Sequence, residues 1–248
     1  VIIGQKSAQM GFTEVALNKV FYNIDILGTS CLYILPAATP DASDFSTSRF
    51  DPALEASKHL QTLFSDVKNI GHKRAGSANL YIRGSRSRSQ LKSVPVGFIV
   101  FDELDEMCQE NIPLAMERTS GQIIKQYFQI STPTIDNIGI NSRFQQSSQN
   151  HFYFRCPGCN KYIELSYPKC LVITAEEFND PGIKDSHIIC PECKVVLPHE
   201  DKTIFLATGK WIASYTDRTD VGYYINQLYS TTVHPRDLAI AALKAQID

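Results

Sequence analysis

Val96-Gly97-Phe98-Ile99-Val100-Phe101-Asp102-Glu103 runs six residues without a charge and then stops on two adjacent carboxylates. So continuous an apolar run suits a strand covered on both faces, as in a parallel sheet. Two acids at the end of a buried strand are costly unless they have work to do. Asp105 and Glu106 come directly after, so a helix N-terminus favouring acids is the plain alternative. The segments on either side decide between the two.

Upstream, Lys6-Ser7-Ala8-Gln9-Met10-Gly11-Phe12-Thr13 stands between the apolar strand Val1–Ile3 and a helical stretch Thr13–Ile24. A phosphate-binding loop needs that setting, because its backbone N–H groups and the helix N-terminus converge on anionic oxygens. Thr13 stands where a hydroxyl reaches Mg²⁺, whereas Phe12 occupies the usual lysine position. Lys6, at the other end of the loop, supplies the point charge from the opposite side, with Ser7, Gly11 and Phe12 completing the phosphate-binding set. Taken alone, the stretch is also an ordinary strand-to-helix turn. Downstream, Gln126–Ile130 runs into Ser131-Thr132-Pro133-Thr134, a polar strand end suited to sensing a terminal phosphate or its water. The order of phosphate loop, acidic strand and polar strand end sets three tips at one carboxyl edge, where open α/β sheets bind ligands. In a nucleotide hydrolase of this P-loop type the first acid, Asp102, helps hold Mg²⁺ and the second, Glu103, activates the attacking water.

The remaining pattern agrees. Further strands are expected at Cys31–Leu35 and Asn79–Ile82, with helices over Pro52–Phe64 and Pro235–Gln246. The fold class is therefore α/β: a P-loop NTPase with a mostly parallel sheet and flanking helices. With 43% hydrophobic and 20% charged residues the composition is that of a globular protein, and no apolar run approaches the ~18 residues that span a bilayer. The start lacks a basic n-region and reads as a strand entered midway, so the chain is expected to be a fragment. A net charge of −2 gives no overall pull toward nucleic acid. From Val67 to Phe101, however, there is no acid, while Lys68, Lys73, Arg74, Arg83, Arg86, Arg88 and Lys92 all occur. That stretch is either a solvated loop face or a surface that meets phosphates.

Four of the seven cysteines form Cys156-Pro157-Gly158-Cys159 and Cys190-Pro191-Glu192-Cys193, two knuckles about thirty residues apart. Without a secretory signal, this spacing favours a closed structural Zn²⁺ site over disulfides or redox pairs. Cys170 and His187, between the knuckles, are conceivable substitutes without knuckle spacing, and Cys31, Cys108 and Trp211 read as core residues. The expected division is an ATPase core over 1–148, a small zinc-ribbon insertion over 149–202, and a closing part of the ATPase region over 203–248.

These residues resemble the large terminase subunits of tailed phages, and within them the lambda-like branch. That family's phosphate loop (Walker A) places its lysine early, as Lys6 does, and its acidic motif (Walker B) resembles Phe101-Asp102-Glu103-Leu104-Asp105. Tyr33-Ile34-Leu35-Pro36 with Phe45-Ser46 and Arg49, Leu91-Lys92-Ser93, Ser131-Thr132-Pro133-Thr134, Phe152 to Cys159, and Gly222-Tyr223-Tyr224-Ile225 with Leu228-Tyr229-Ser230 resemble further blocks, so nearly the whole chain is covered. The resemblance implies an ATP-hydrolysing motor of viral DNA packaging that drives double-stranded DNA into a procapsid. It implies Lys6 and Thr13 on phosphate and Mg²⁺, Asp102 on Mg²⁺, Glu103 activating water, and Ser131 and Thr132 coupling hydrolysis to movement. The implied partners are double-stranded DNA, a small terminase subunit, the portal of the procapsid and further copies of the chain, in the host cytoplasm and off membranes. The family's upstream adenine-recognition segment has no counterpart here. Its nuclease has no room after Asp248, so no DNA cutting is expected. Two rivals remain, another P-loop translocase or helicase, and a non-enzymatic DNA- or protein-binding module on a degenerate P-loop scaffold.

Overall fold

Each of the five expected parallel strands is present in the computed structural model of the chain, which describes residues 1–65, 67–92 and 94–246. The Lys68 side chain, Ser93 and Asp248 lie outside the described residues. By contacts the chain divides into two units, one of residues 1–5, 11–147 and 219–222, the other of residues 6–10, 148–218 and 223 onward.

The first unit is built on β1 (Ile2–Lys6), β2 (Cys31–Leu35), β3 (Val67–Asn69), β4 (His72–Ala75), β5 (Ala78–Gly84), β6 (Phe98–Asp102) and β7 (Gln126–Ser131). Their order across the sheet is β1-β7-β6-β2-β5-β4-β3. The first five are mutually parallel, and β4 and β3 extend the edge antiparallel. Strands β2 and β6 are buried at every position, because alternate residues enter different cores. Tyr33, Leu35, Phe98 and Val100 pack with Ala16, Leu17 and Val20 of the helix Phe12–Asp25. Leu32, Ile34, Ile99 and Phe101 pack with Leu104, Ile112 and Ala115. This two-sided covering is why the run up to Asp102 carries no polar side chain.

Two expectations are corrected here. The helix expected over Pro52–Phe64 is two, Asp51–Glu55 and Lys58–Leu63, because Ser57 adopts an extended conformation and its side chain accepts the Leu60 N–H as an N-cap. The acid-free stretch is not one solvated loop. Lys73 is buried on β4, 3.1 Å from Asp51 and over the Phe50 ring, whereas Arg74, Arg86, Arg88 and Lys92 are exposed.

In the second unit β8 (Asn150–Arg155) pairs antiparallel with β9 (Tyr162–Ile163). The strands β10 (Leu171–Val172), β11 (His187–Ile189) and β12 (Val196–Leu197) form a separate antiparallel sheet. Strand β13 (Lys210–Ala213) then pairs antiparallel with β8, and β14 (Val221–Ile225) pairs parallel with β8 through Tyr223 and Tyr224. The core joins Phe154, Leu165, Ile188, Phe205, Leu228 and Tyr229, with Phe154 stacked on Phe205 at 5.1 Å. The closing helix runs Pro235–Lys244. Trp211 is not a core residue. It stands on β13 with 39% of its surface exposed, edge-on to Phe152 and Tyr223. Among the described residues no helix is long and apolar enough to cross a membrane.

Candidate functional site

The register of the first unit brings three strand tips to one edge. Gln5 of β1 pairs with Ser131 of β7, and Ile130 of β7 pairs with Asp102 of β6. Neighbouring strands lie about 4.8 Å apart, so the tip of β7 sits between the other two. Asp102 is 2% exposed, and its Oδ2 accepts a hydrogen bond of 2.6 Å from the hydroxyl of Tyr33, itself fully buried and stacked on Phe45 at 4.2 Å. Burial, and then the charge of Asp102, push the Tyr33 hydroxyl well above its usual range, so it remains a donor.

Glu103 leaves the strand in the left-handed region, φ 60° and ψ 57°. A non-glycine residue there costs on the order of 1–3 kcal/mol and persists only where its surroundings hold it. Here they do. The Oε2 atom of Glu103 accepts from the Thr132 backbone N–H at 3.3 Å and lies 3.5 Å from the Ser131 hydroxyl. Ser131 Oγ also accepts the Asp105 N–H at 3.1 Å. Asp105 in turn fastens the segment after β7, since its Oδ2 accepts from the Thr134 N–H and its Oδ1 from the Ile140 N–H at 2.7 Å. The structure thus brings Glu103, Ser131 and Thr132 into one network, in which Asp105 is the clamp that fixes the polar strand end, while Asp102 on β6 is bonded separately to Tyr33.

Gly11, Phe12 and Thr13 open the helix of the same unit, with Gly11 at φ 75° and ψ 9°. That positive φ suits glycine, and the first N–H groups of a helix have no partner within it. Phe12 stands at the lysine position for a packing reason. A Cβ on Gly4 would lie 2.6 Å from its ring and 2.8 Å from Ile130, so the ring packs against a strand kept bare for it. Its side chain joins the core beside the helix, which leaves only its backbone for an anion. Lys6 and Ser7 group by contacts with the second unit. Lys6 is 6% exposed, and the Ser7 N–H is spent on the Ile225 carbonyl at 3.1 Å, so Ser7 has no backbone donor left for phosphate.

Tyr33 and Asp105 were legible in the quoted motifs, yet nothing in residue type alone assigned them roles. Gln5 and Asn141, whose amides bond at 3.2 Å, and Arg143, which donates to Gln129 at 3.2 Å, lie outside those motifs, and residue type gave no signal for them. Burial lowers the Arg143 pKa, and the nearby charge of Asp105 opposes that shift.

In the second unit each cysteine pair forms the turn of a hairpin, Cys156 and Cys159 between β8 and β9, Cys190 and Cys193 between β11 and β12. Asn160 and Lys194 take the matching left-handed positions, and their N–H groups bond back to the Cys156 and Cys190 carbonyls. All four Sγ atoms lie within 4.8 Å of one another, with Cys156 and Cys193 at 3.8 Å. A disulfide needs about 2.05 Å. A tetrahedron with Zn–S bonds of about 2.3 Å has edges of about 3.8 Å, so the set fits a divalent metal. Burial pushes the Cys156 thiol up to about 12 without a cation. Cys170 and His187 are not members. The Cys170 sulfur takes the Ser166 N–H, and His187 Nδ1 faces the Asp185 carbonyl at 2.8 Å. The Asp102 carboxylate and the Thr13 hydroxyl are hard oxygens, the donor type that Mg²⁺ takes.

Solved structures similar to the chain include two forms of one domain. The ATPase domain of the Thermus phage P74-26 large terminase matches at 10% identity and a TM-score of 0.48, over 67% of this chain and 72% of that one. An arginine-to-alanine mutant of the same domain matches at 16% identity and a TM-score of 0.47, over 59% of this chain and 64% of that one. This chain therefore spans less than two thirds of the mutant domain's length. No curated protein matches the sequence. A family model, described as the ATPase domain of the phage terminase large subunit gpA, matches residues 1–211, and the chain belongs to that family.

Proposed function

We propose that the chain is the ATP-hydrolysing motor segment of a viral DNA-packaging terminase, moving double-stranded DNA into a procapsid. The observation that carries the reading is the contact of Glu103 with Ser131 and Thr132 on the neighbouring strand tip. A carboxylate held there orients an attacking water, and loss of the γ-phosphate is felt at once by the strand end bonded to it. Lys6 and Thr13 hold the phosphates, joined by the backbone of Gly11 and Phe12. Ser7 contributes through its hydroxyl only. Thr13 and Asp102 are the residues that would hold Mg²⁺, whose chemistry is to neutralise charge on the β- and γ-phosphate oxygens. Tyr33 keeps the Asp102 carboxylate aimed. Cys156, Cys159, Cys190 and Cys193 would hold one structural Zn²⁺. The small terminase subunit, the portal, further copies of the chain and the host cytoplasm complete the proposal, as family membership suggests.

The test is Glu103→Gln in the protein with DNA present. It keeps the size and the hydrogen-bonding positions, removes the base, and is expected to lower ATP turnover by about 10²–10⁴-fold while leaving ATP binding intact. Unchanged turnover would remove Glu103 from the chemistry, and no ATP turnover in the native protein would favour the non-enzymatic reading, which Phe12 at the lysine position supports.

A further inference from the structure

In the second unit, the antiparallel strands β13, β8 and β9 present one face to the core and one to solvent. Tyr153 and Arg155 alternate along β8 with the buried Phe154, so both stand on the solvent face. The register sets Tyr162 of β9 opposite Arg155, and Lys210 of β13 opposite Tyr153. The two cations meet at one ring. Lys210 Nζ lies 4.1 Å from the centre of the Tyr162 ring, and Arg155 Cζ lies 5.0 Å from it. Arg155 is steadied further by Asn160, whose Oδ1 accepts from its Nη1 at 3.3 Å. We infer that this face is a seat for the sugar-phosphate backbone of duplex DNA, with Arg155 and Lys210 each contacting a phosphate and Tyr162 fixing the two cations in place. The inference rests on the DNA-translocating reading above and names a surface of the second unit that would meet the DNA.

Charge selects the occupant. Lys161, the neighbour of Tyr162, is neutralised by Glu192 at 3.3 Å, whereas among the described residues no carboxylate pairs with Arg155 or Lys210. The acid on this face, Glu164, is spent on His151 at 2.7 Å and on the Tyr153 hydroxyl. The Tyr162 hydroxyl is held below its usual pKa, first by the hydrogen bond from Arg155 and further by the charge of Lys210. Exposed cations left without acids favour a polyanion, which gives up its counterions on binding. The state of Tyr162 decides between backbone and base. Its ring is engaged by Lys210 and its hydroxyl by Arg155, so it is poorly suited to stack an unpaired base. Contacts to phosphate position a protein on the duplex without reading sequence, as a motor that moves along any sequence requires.

The test titrates duplex DNA of two unrelated sequences against the protein by fluorescence anisotropy, over a series of salt concentrations. The variants are Arg155→Gln and Lys210→Gln, singly and together, with Lys161→Gln as the neutralised comparison and Lys210→Arg as the conservative rescue. The logarithm of the binding constant falls with that of the salt concentration by about 0.9 per phosphate contact, so each single variant should reduce the slope by about 0.9 and the double variant by about 1.8. The reduction should be the same for both sequences, and Lys161→Gln and Lys210→Arg should keep the native slope. A native slope in either single glutamine variant would overturn the inference. So would a loss in Lys161→Gln as large as theirs, which would reduce the effect to overall charge. Variants that keep the native DNA slope but lose affinity for poly-glutamate would also overturn it, making the face a seat for an acidic protein. Arg155 adjoins Cys156, so Lys210→Gln, far along the chain from both knuckles, keeps the test decisive where Arg155→Gln fails to fold. A native protein that binds no duplex overturns the DNA-translocating reading together with the inference.

Discussion

Tyr33→Phe removes one oxygen from the middle of the first unit and little else. The ring keeps its stack on Phe45 at 4.2 Å, and only the 2.6 Å bond to Asp102 Oδ2 is lost. Both partners are buried, Tyr33 fully and Asp102 with 2% exposed, so water does not replace the donor cheaply. A hydrogen bond to a charged group contributes about 1.5–3 kcal/mol, and its loss leaves a buried carboxylate less satisfied. We expect Tyr33→Phe to destabilise the first unit by about 2 kcal/mol and to weaken Mg²⁺-dependent ATP turnover about tenfold, since a freed carboxylate loses its aim. The assay is a double-mutant cycle with Asp102→Asn, read by urea denaturation. The coupling energy between the two positions should be about 1.5 kcal/mol or more, because removing either group already breaks the pair. Coupling below about 0.5 kcal/mol, with turnover unchanged in Tyr33→Phe, would refute the proposal that Tyr33 holds Asp102 in place for magnesium.

Zinc analysis of the purified chain should find about one metal ion per molecule, lost in Cys156→Ser with Cys190→Ser; metal-free protein of unchanged stability would exclude the cysteine centre. Lys202, 1% exposed with its Nζ donating to the Ser230 carbonyl at 2.7 Å, has its pKa pushed down by burial from 10.5 to about 8. Between those values the unfolded chain binds the proton and the native chain does not, so stability rises with pH from about 8 to 10.5 and is lost as pH falls through 8. Lys202→Met should flatten that rise, by up to ~1.4 kcal/mol per pH unit, in denaturation measured at pH 7.5 and pH 10; identical profiles for the two proteins would refute it.

How much of this was legible in the sequence differs by element. Strands β2 and β6 announced themselves because a strand covered on both faces has no position for a polar side chain, and the acids at the end of β6 therefore stood out. The cysteine pairs were equally plain, since a turn of four residues brings its own thiols together. The break at Ser57 leaves little mark in the residue pattern, because Leu60 and Leu63 recur at a helical interval beyond it, while a single capping hydroxyl decides the boundary. Phe12 looked like a defect in the phosphate loop. Its reason is the bare backbone of Gly4, a contact between two elements that spacing does not encode.

By itself, the sequence determined the alternation of strands and helices, the order in which the three tips occur, and the two thiol knuckles. All of these are local, arising from side-chain period and from turns a few residues long. Only the tertiary structure decided that Tyr33 faces Asp102, that Glu103 turns in the left-handed region toward Thr132, and that Phe205 packs with the cysteine-bearing strands. Those facts depend on strand register and on which face each side chain takes. A shift of one residue would turn every such group to the other face, and register is settled by packing between distant segments, which residue spacing alone does not contain.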